Sequence, residues 1–119
     1  MLYLNQKALS DTAAWEKAGI ALPTYDRAAM IAKTKAEPRW LHFGAGNIFR
    51  AFIALVQQRL LEQGLQETGI VAVDTSRGGA PERISAEHDH LALSVGLRPD
   101  GTTAYSVAAS IADCLRPCL

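Results

Sequence analysis

Three features of the sequence point to an α/β fold: a partial parallel sheet, joined to a β-hairpin and preceded by a helical arm. Two short apolar runs, Leu41 to Phe43 and Gly69 to Val73, bracket a segment of helical periodicity, the strand–helix–strand pattern of a parallel sheet. Glycines punctuate the changes of element, at Gly44, Gly46 and Gly64. Further on, two alternating segments flank Arg98-Pro99-Asp100-Gly101, a strong turn signal.

The chain is organised around Trp40 to Ile53, an apolar strand that breaks into a glycine turn and opens a helix. Leu41 to Phe43 reads as a buried parallel strand, and Gly44 allows a sharp turn at its carboxyl end. Gly46, lacking a side chain, lets a pyrophosphate approach the backbone. The N–H groups and positive dipole end of the following helix would face those phosphates, so no cationic side chain is required. Candidate cofactor-binding residues are therefore Gly44, Ala45, Gly46, Asn47, Ile48, Phe49 and Arg50. Arg50, in the first helical turn, either pairs with a phosphate or holds a contact between elements.

Phe49, Phe52, Ile53, Val56 and Leu60 recur at helical spacing and predict the buried face of that helix. Gln57, Gln58, Arg59 and Glu62 occupy the other face, and Gly64 is the left-handed stop. The second strand, Ile70 to Val73, ends at Asp74, where a dinucleotide fold places an acid for the adenosine ribose hydroxyls. Asp74 lies 25 residues past Phe49, slightly more than the usual interval of about 20. The third position of the glycine fingerprint is Phe49 rather than Gly or Ala, which puts a bulky side chain where helix and strand usually pack closest.

Before this unit, residues 1–39 read as an N-terminal helical arm. Asp11 caps a short helix ending at Gly19, Asp26 caps a second that ends before Pro38, and Trp15 and Tyr25 pack the arm on the outside of the sheet. Residues 40–119 are the expected dinucleotide-binding domain, incomplete at its C-terminus. Past Asp74, the loop Thr75-Ser76-Arg77-Gly78-Gly79 lies where an adenine and its ribose would sit. Arg77 stacks on adenine, accepts a 2′-phosphate, or is simply a solvated loop arginine. Asp74 repels a 2′-phosphate, so NAD is favoured over NADP. Pro81 suits the first turn of a crossover helix over Glu82 to Ala86.

Glu87-His88-Asp89-His90 is read as a polar turn, without metal or acid/base chemistry, and His42 as a satisfied, partly buried histidine. Ser110 to Asp113 is expected to be a loop near the nicotinamide end of the cofactor. Cys114 and Cys118 lack the histidines of a zinc pattern and read as free thiols of a reducing compartment.

Twelve basic and twelve acidic residues cancel, which argues against a nucleic-acid or anionic-membrane surface. No apolar run nears the ~20 residues needed to span a bilayer, and the N-terminus has no basic region followed by an apolar core. A soluble cytoplasmic protein is the expectation. At 119 residues there is room for one domain, and for only the first half of a doubly wound sheet plus a hairpin.

The segment His42-Phe43-Gly44-Ala45-Gly46-Asn47-Ile48-Phe49-Arg50-Ala51-Phe52 resembles the N-terminal signature of the mannitol dehydrogenase family, the polyol-specific long-chain dehydrogenases. In that family the third glycine position varies and Arg-Ala or Arg-Gly follows, as at Arg50-Ala51. The resemblance extends over Trp15 to Asp26, Ile70 to Asp74 and His88 to Ser110, and is closest to the fructuronate reductase, or mannonate oxidoreductase, branch. It implies a Rossmann fold, a nicotinamide dinucleotide partner, and oxidoreduction of the CH–OH group of a polyol or hexuronate. It also implies that the catalytic lysine, asparagine and histidine belong to a C-terminal domain. Lys7, Lys17, Lys33 and Lys35 all precede the glycine turn, so no residue here is nominated as catalytic.

Two other readings compete. A methyltransferase using S-adenosylmethionine has a similar turn and second-strand acid, although it usually carries an acid or further glycines where this chain has His42-Phe43 and Asn47-Ile48-Phe49-Arg50. A non-catalytic gene fragment is the other, and an open half-sheet of that kind is expected to self-associate through its exposed edge.

Overall fold

The structure is a computed structural model that describes residues 1–116. Cys118 lies outside the described residues. In chain order, a 3₁₀ turn (Ala8–Ser10) leads into α1 (Thr12–Lys17), β1 (Ile20–Ala21) and α2 (Arg27–Ala36). Then follow β2 (Leu41–Phe43), a π-helical turn (Phe49–Ile53), α3 (Ala54–Glu62), β3 (Ile70–Val73) and α4 (Ala80–Glu87). The hairpin strands β4 (Ala92–Leu97) and β5 (Thr103–Ala108) precede β6 (Ile111–Leu115).

Among the described residues the strands form two three-stranded sheets. In the first, β2, β3 and β6 lie side by side and all parallel, with Phe43 beside Val73 and Val73 beside Leu115. This is the βαβαβ half of a doubly wound fold. The segment Ser110 to Asp113, expected as a loop, instead enters the third parallel strand. Its apolar run Ile111-Ala112 is buried and follows directly from the hairpin. In the second sheet, β4 pairs antiparallel with β5, and β5 pairs parallel with β1.

Local chemistry sets the element ends. The carboxylates of Asp11 and Asp26 accept the amides of Ala14 and Ala29, two N-caps. Gly64 takes φ +71 after α3, and Gly101 φ +85 in the hairpin turn, both left-handed conformations that suit glycine. The arm is not wholly helical: β1 docks on the hairpin. Trp15 is buried with Leu91, Val107 and Ala109, and its indole N–H donates to the Ala8 carbonyl at 2.8 Å.

Arg27 staples these parts together. Buried at the start of α2, it donates from Nε to the Ala109 carbonyl (3.0 Å) and from Nη2 to the carbonyls of Asp89 (2.6 Å) and Ile111 (3.2 Å). Its Nη1 donates to Gln6 Oε1. Burial lowers its pKa, while Tyr25 and Asp89 oppose that fall.

Two expectations about burial are corrected. Strand β2 is not buried on both faces: Leu41 is 51% exposed and Phe43 69%, because the described residues leave that side of the strand open. The predicted faces of the long helix hold only in part: Ile53 packs against the core and Arg59 and Glu62 are exposed as expected, but four residues depart. Phe52 is 65% exposed and Val56 also faces outward, whereas Gln57 and Gln58 are buried. The cause is the π-helical turn, in which the Ala54 amide donates to the Phe49 carbonyl five residues back rather than four. One extra residue in the turn rotates everything after it by about a residue's angle, some 100°.

Buried glutamines need partners, and both have them. Gln57 Nε2 donates to the Thr68 carbonyl at 2.7 Å. Gln58 donates from Nε2 to the Val107 carbonyl (2.9 Å) and accepts the Ala109 amide at Oε1 (2.6 Å), binding the helix to the end of β5.

Candidate functional site

The site is built at the carboxyl ends of β2 and β3. Gly44 takes φ +117, a conformation closed to most side chains, and its amide donates to the Val73 carbonyl at 2.8 Å. That bond brings the glycine turn beside Asp74, the residue after Val73. The Arg50 amide closes the first helical turn on the Gly46 carbonyl at 3.1 Å. The amides of Asn47, Ile48 and Phe49 therefore belong to the first turn, which has no intrahelical acceptors for them.

Space at the turn is asymmetric. A Cβ built on Gly46 meets no atom within 4 Å, so its small size is not demanded by packing inside the protein. Ala45 is buried in the core and Ile48 is exposed on the rim. Phe49, at the third fingerprint position, is 4% exposed and packs between helix and sheet with Ala45, Ala54, Ile70 and Ala72. Its ring stacks on His42 at 4.3 Å and 10°, and Trp40 meets His42 edge-on. His42 is thus half-buried between aromatic rings. The helix start carries a large side chain where the general fingerprint has a glycine, and Phe49 itself fills the added width.

Asp74 is 2% exposed, and its Oδ1 accepts the Ser76 amide at 2.9 Å. The acid therefore shapes the loop after β3 as well as standing beside the glycine turn. Arg77 is exposed in that loop. Arg50 turns sideways: Nη2 donates to Asn47 Oδ1 at 2.6 Å, and both residues border a cavity of about 290 Å³ reaching Leu4, His88 and Leu93. Among the described residues, Nε of Arg50 is buried without a hydrogen-bond partner.

The His88–His90 turn is structural. Asp89 and His90 both adopt left-handed backbone, φ 52 and 61, held by Arg27 on the Asp89 carbonyl and by the His90 amide on the Ser85 carbonyl. His88 Nδ1 donates to the Leu4 carbonyl at 2.7 Å. His90 Nδ1 shares a 2.7 Å hydrogen bond with Ser85 Oγ, and Nε2 faces Asp113 at 3.7 Å. Burial pushes the His90 pKa down, with Asp113 opposing. Among the described residues, no group of three or more His, Cys, Asp or Glu side chains is arranged to hold a metal. Nor is any described helix long and apolar enough to cross a membrane.

No protein-family profile matches the chain. A curated relative does: the D-mannonate oxidoreductase of Thermotoga maritima is 38% identical over 113 residues, which is 95% of this chain and 21% of that protein. The chain is thus similar in sequence to a mannonate oxidoreductase and to a sorbitol dehydrogenase. Among solved structures, a D-sorbitol dehydrogenase in substrate-free form superposes with a TM-score of 0.69 at 26% identity, over 83% of this chain and 20% of that one. A Pseudomonas fluorescens mannitol 2-dehydrogenase, in a ternary complex with NAD and D-mannitol, shares the fold with a TM-score of 0.70 at 24% identity. That match covers 95% of this chain and 21% of the other. The chain thus spans about a fifth of the length of these relatives.

Several residues that organise this neighbourhood carry no sequence signal of their own. Arg27 follows its cap like any helix residue, and Gln57 and Gln58 sit on the predicted polar face.

Proposed function

We propose that this chain is the NAD-binding portion of an oxidoreductase that interconverts a CH–OH group and a carbonyl on an open-chain polyol or hexuronate. The observation that carries the reading is Gly46: a residue whose missing side chain leaves open space, at a left-handed turn that opens a helix. Packing does not explain that glycine, and a pyrophosphate lying against the backbone does.

In this reading Gly44, Ala45 and Gly46 form the floor of the phosphate site, and the amides of Asn47, Ile48 and Phe49 donate to the phosphates. Phe49 holds the helix at its distance from the sheet. Arg50, tied to Asn47, keeps the first turn in place and brings positive charge near the anion. Asp74 serves the adenosine ribose, and its proximity disfavours the extra phosphate of NADP. The cofactor, when bound, supplies the hydride; these residues bind it and fix its orientation. Residues 40–119 make up the nucleotide-binding unit, with 1–39 as the arm fastened to it, in a cytoplasmic protein. Catalysis and sugar recognition belong to the part of the longer relatives that this chain does not span.

Nicotinamide fluorescence on titrating NADH, in competition with S-adenosylmethionine, tests the assignment. Saturable binding displaced by NAD and not by S-adenosylmethionine is expected. Displacement by S-adenosylmethionine alone would make the chain a methyltransferase fold instead.

A further inference from the structure

Guanidinium groups converge on successive residues of the loop after β3. Arg77 is exposed in its turn. Arg83, at the end of the first turn of α4, donates from Nη1 to the Gly78 carbonyl at 3.0 Å. Arg116, the residue after β6, lies over Gly79, where a Cβ would run into its guanidinium. Gly79 also takes φ +59, so its conformation and its contact with Arg116 both demand a glycine.

The fold brings these groups together from distant parts of the sequence. The Asp74 amide donates to the Leu115 carbonyl at 2.8 Å, so the ends of β3 and β6 lie side by side. Helix α4 opens at Gly79 with no side-chain cap, so the positive end of its dipole faces the same loop. Like charges gathered in this way repel one another, and a dianion among them turns that repulsion into attraction. The acids of this stretch are Asp74 and Glu82. Asp74 is turned inward, 2% exposed, with Oδ1 on the Ser76 amide.

We propose that Arg77, Arg83 and Arg116 form a receptor for a phosphate monoester on the adenosine ribose, so that the chain takes NADPH as well as NADH. The inference rests on the dinucleotide reading, which puts that ribose beside Asp74. Asp74 by itself opposes a 2′-phosphate, but the arginines and the helix N-terminus outnumber the acids around it. A phosphate monoester carries about −1.5 to −2 charge at neutral pH and offers three acceptor oxygens, and the guanidinium fork meets such oxygens two at a time. The exposed residues Thr75 and Ser76 add two hydroxyl groups to the same loop.

The test compares NADH with NADPH on the 119-residue chain by nicotinamide fluorescence, then displaces bound NADH with adenosine 2′,5′-bisphosphate or with 5′-AMP. NADPH is expected to bind within about 10-fold of NADH, and the bisphosphate to displace NADH at lower concentration than 5′-AMP. The comparison of the two displacers needs no variant. Arg83→Gln combined with Arg116→Gln should weaken NADPH at least ~10-fold while changing NADH by less than ~3-fold, and added salt should weaken NADPH more than NADH. If NADH binds and NADPH is more than ~10-fold weaker, the inference is overturned and the NAD reading stands. Equal losses for both dinucleotides in the double variant would also overturn it, by assigning the arginines to the adenosine that the two share. If neither dinucleotide binds, the dinucleotide reading fails and this inference fails with it.

Discussion

Replacing Gln58 by methionine tests the π-helical turn directly. The side chains have similar length, so no large cavity opens, but the Val107 carbonyl and the Ala109 amide both lose their partner. Leaving a buried polar group unsatisfied costs about 1–3 kcal/mol, so two give roughly 2–6 kcal/mol. A domain of this size has about 5–15 kcal/mol in all. At some 3 kcal/mol the melting temperature should fall by about 10 °C. Urea denaturation followed by far-UV circular dichroism supplies the free energy, and Phe52→Ser is the matched control. In a regular α-helix Phe52 would face the core and Gln58 the solvent, and the two effects would exchange. Here Phe52, at 65% exposure, should change stability by less than about 0.5 kcal/mol. A neutral Gln58→Met together with a destabilising Phe52→Ser would refute the shifted register.

Gly46→Ala should leave the urea midpoint unchanged, since its methyl meets nothing within 4 Å, yet weaken NADH binding at least ~10-fold by fluorescence titration. Phe49→Gly, which brings the sequence closer to the general fingerprint, should destabilise by at least ~3 kcal/mol in the same urea assay, because the ring stacked on His42 is lost from the core. Arg27→Met removes four donor contacts and leaves three main-chain carbonyls short of a partner; loss of the cooperative thermal transition is the expected result. For His90, burial lowers the folded pKa below the unfolded value, so the unfolded chain binds the extra proton first. Its stabilising contribution is complete above the unfolded pKa near 6.5 and is lost as pH falls toward the folded pKa. His90→Gln should therefore flatten the decline in melting temperature between about pH 7 and 5.

Much of the fold is legible because it is encoded locally. Asp11, Asp26, Gly64 and the Pro99-Asp100-Gly101 turn each fix an element end through their own backbone or side-chain chemistry. The glycine turn is legible for the same reason: φ +117 at Gly44 is a demand that the residue type records. What is not legible depends on geometry accumulated over distance. The π-helical turn leaves the apolar spacing intact and changes where it points, so Phe52 and Val56 read as core when they are surface. Arg27 works through carbonyls 62 to 84 positions away, which no spacing rule connects. Strand β6 reads as a loop because it is recognisable only beside β3. Leu41 and Phe43 are apolar for a sheet face that the described residues leave bare, so composition alone marks them as buried.

The pairing of Ile20 with Tyr105 governs when the protein can fold during its synthesis. The arm emerges from the ribosome before the hairpin, yet its strand and its arginine find their partners only after β5 and the turn to Ile111 have been made. At about 5–20 residues per second, the interval is several seconds, long compared with hairpin closure in microseconds. Through that interval Trp15, Ile20 and Leu22 are without the hairpin that later covers them. Folding of the arm should finish abruptly once β5 and the turn to Ile111 have emerged rather than advance with the chain, and the arm is where a chaperone has most time to bind.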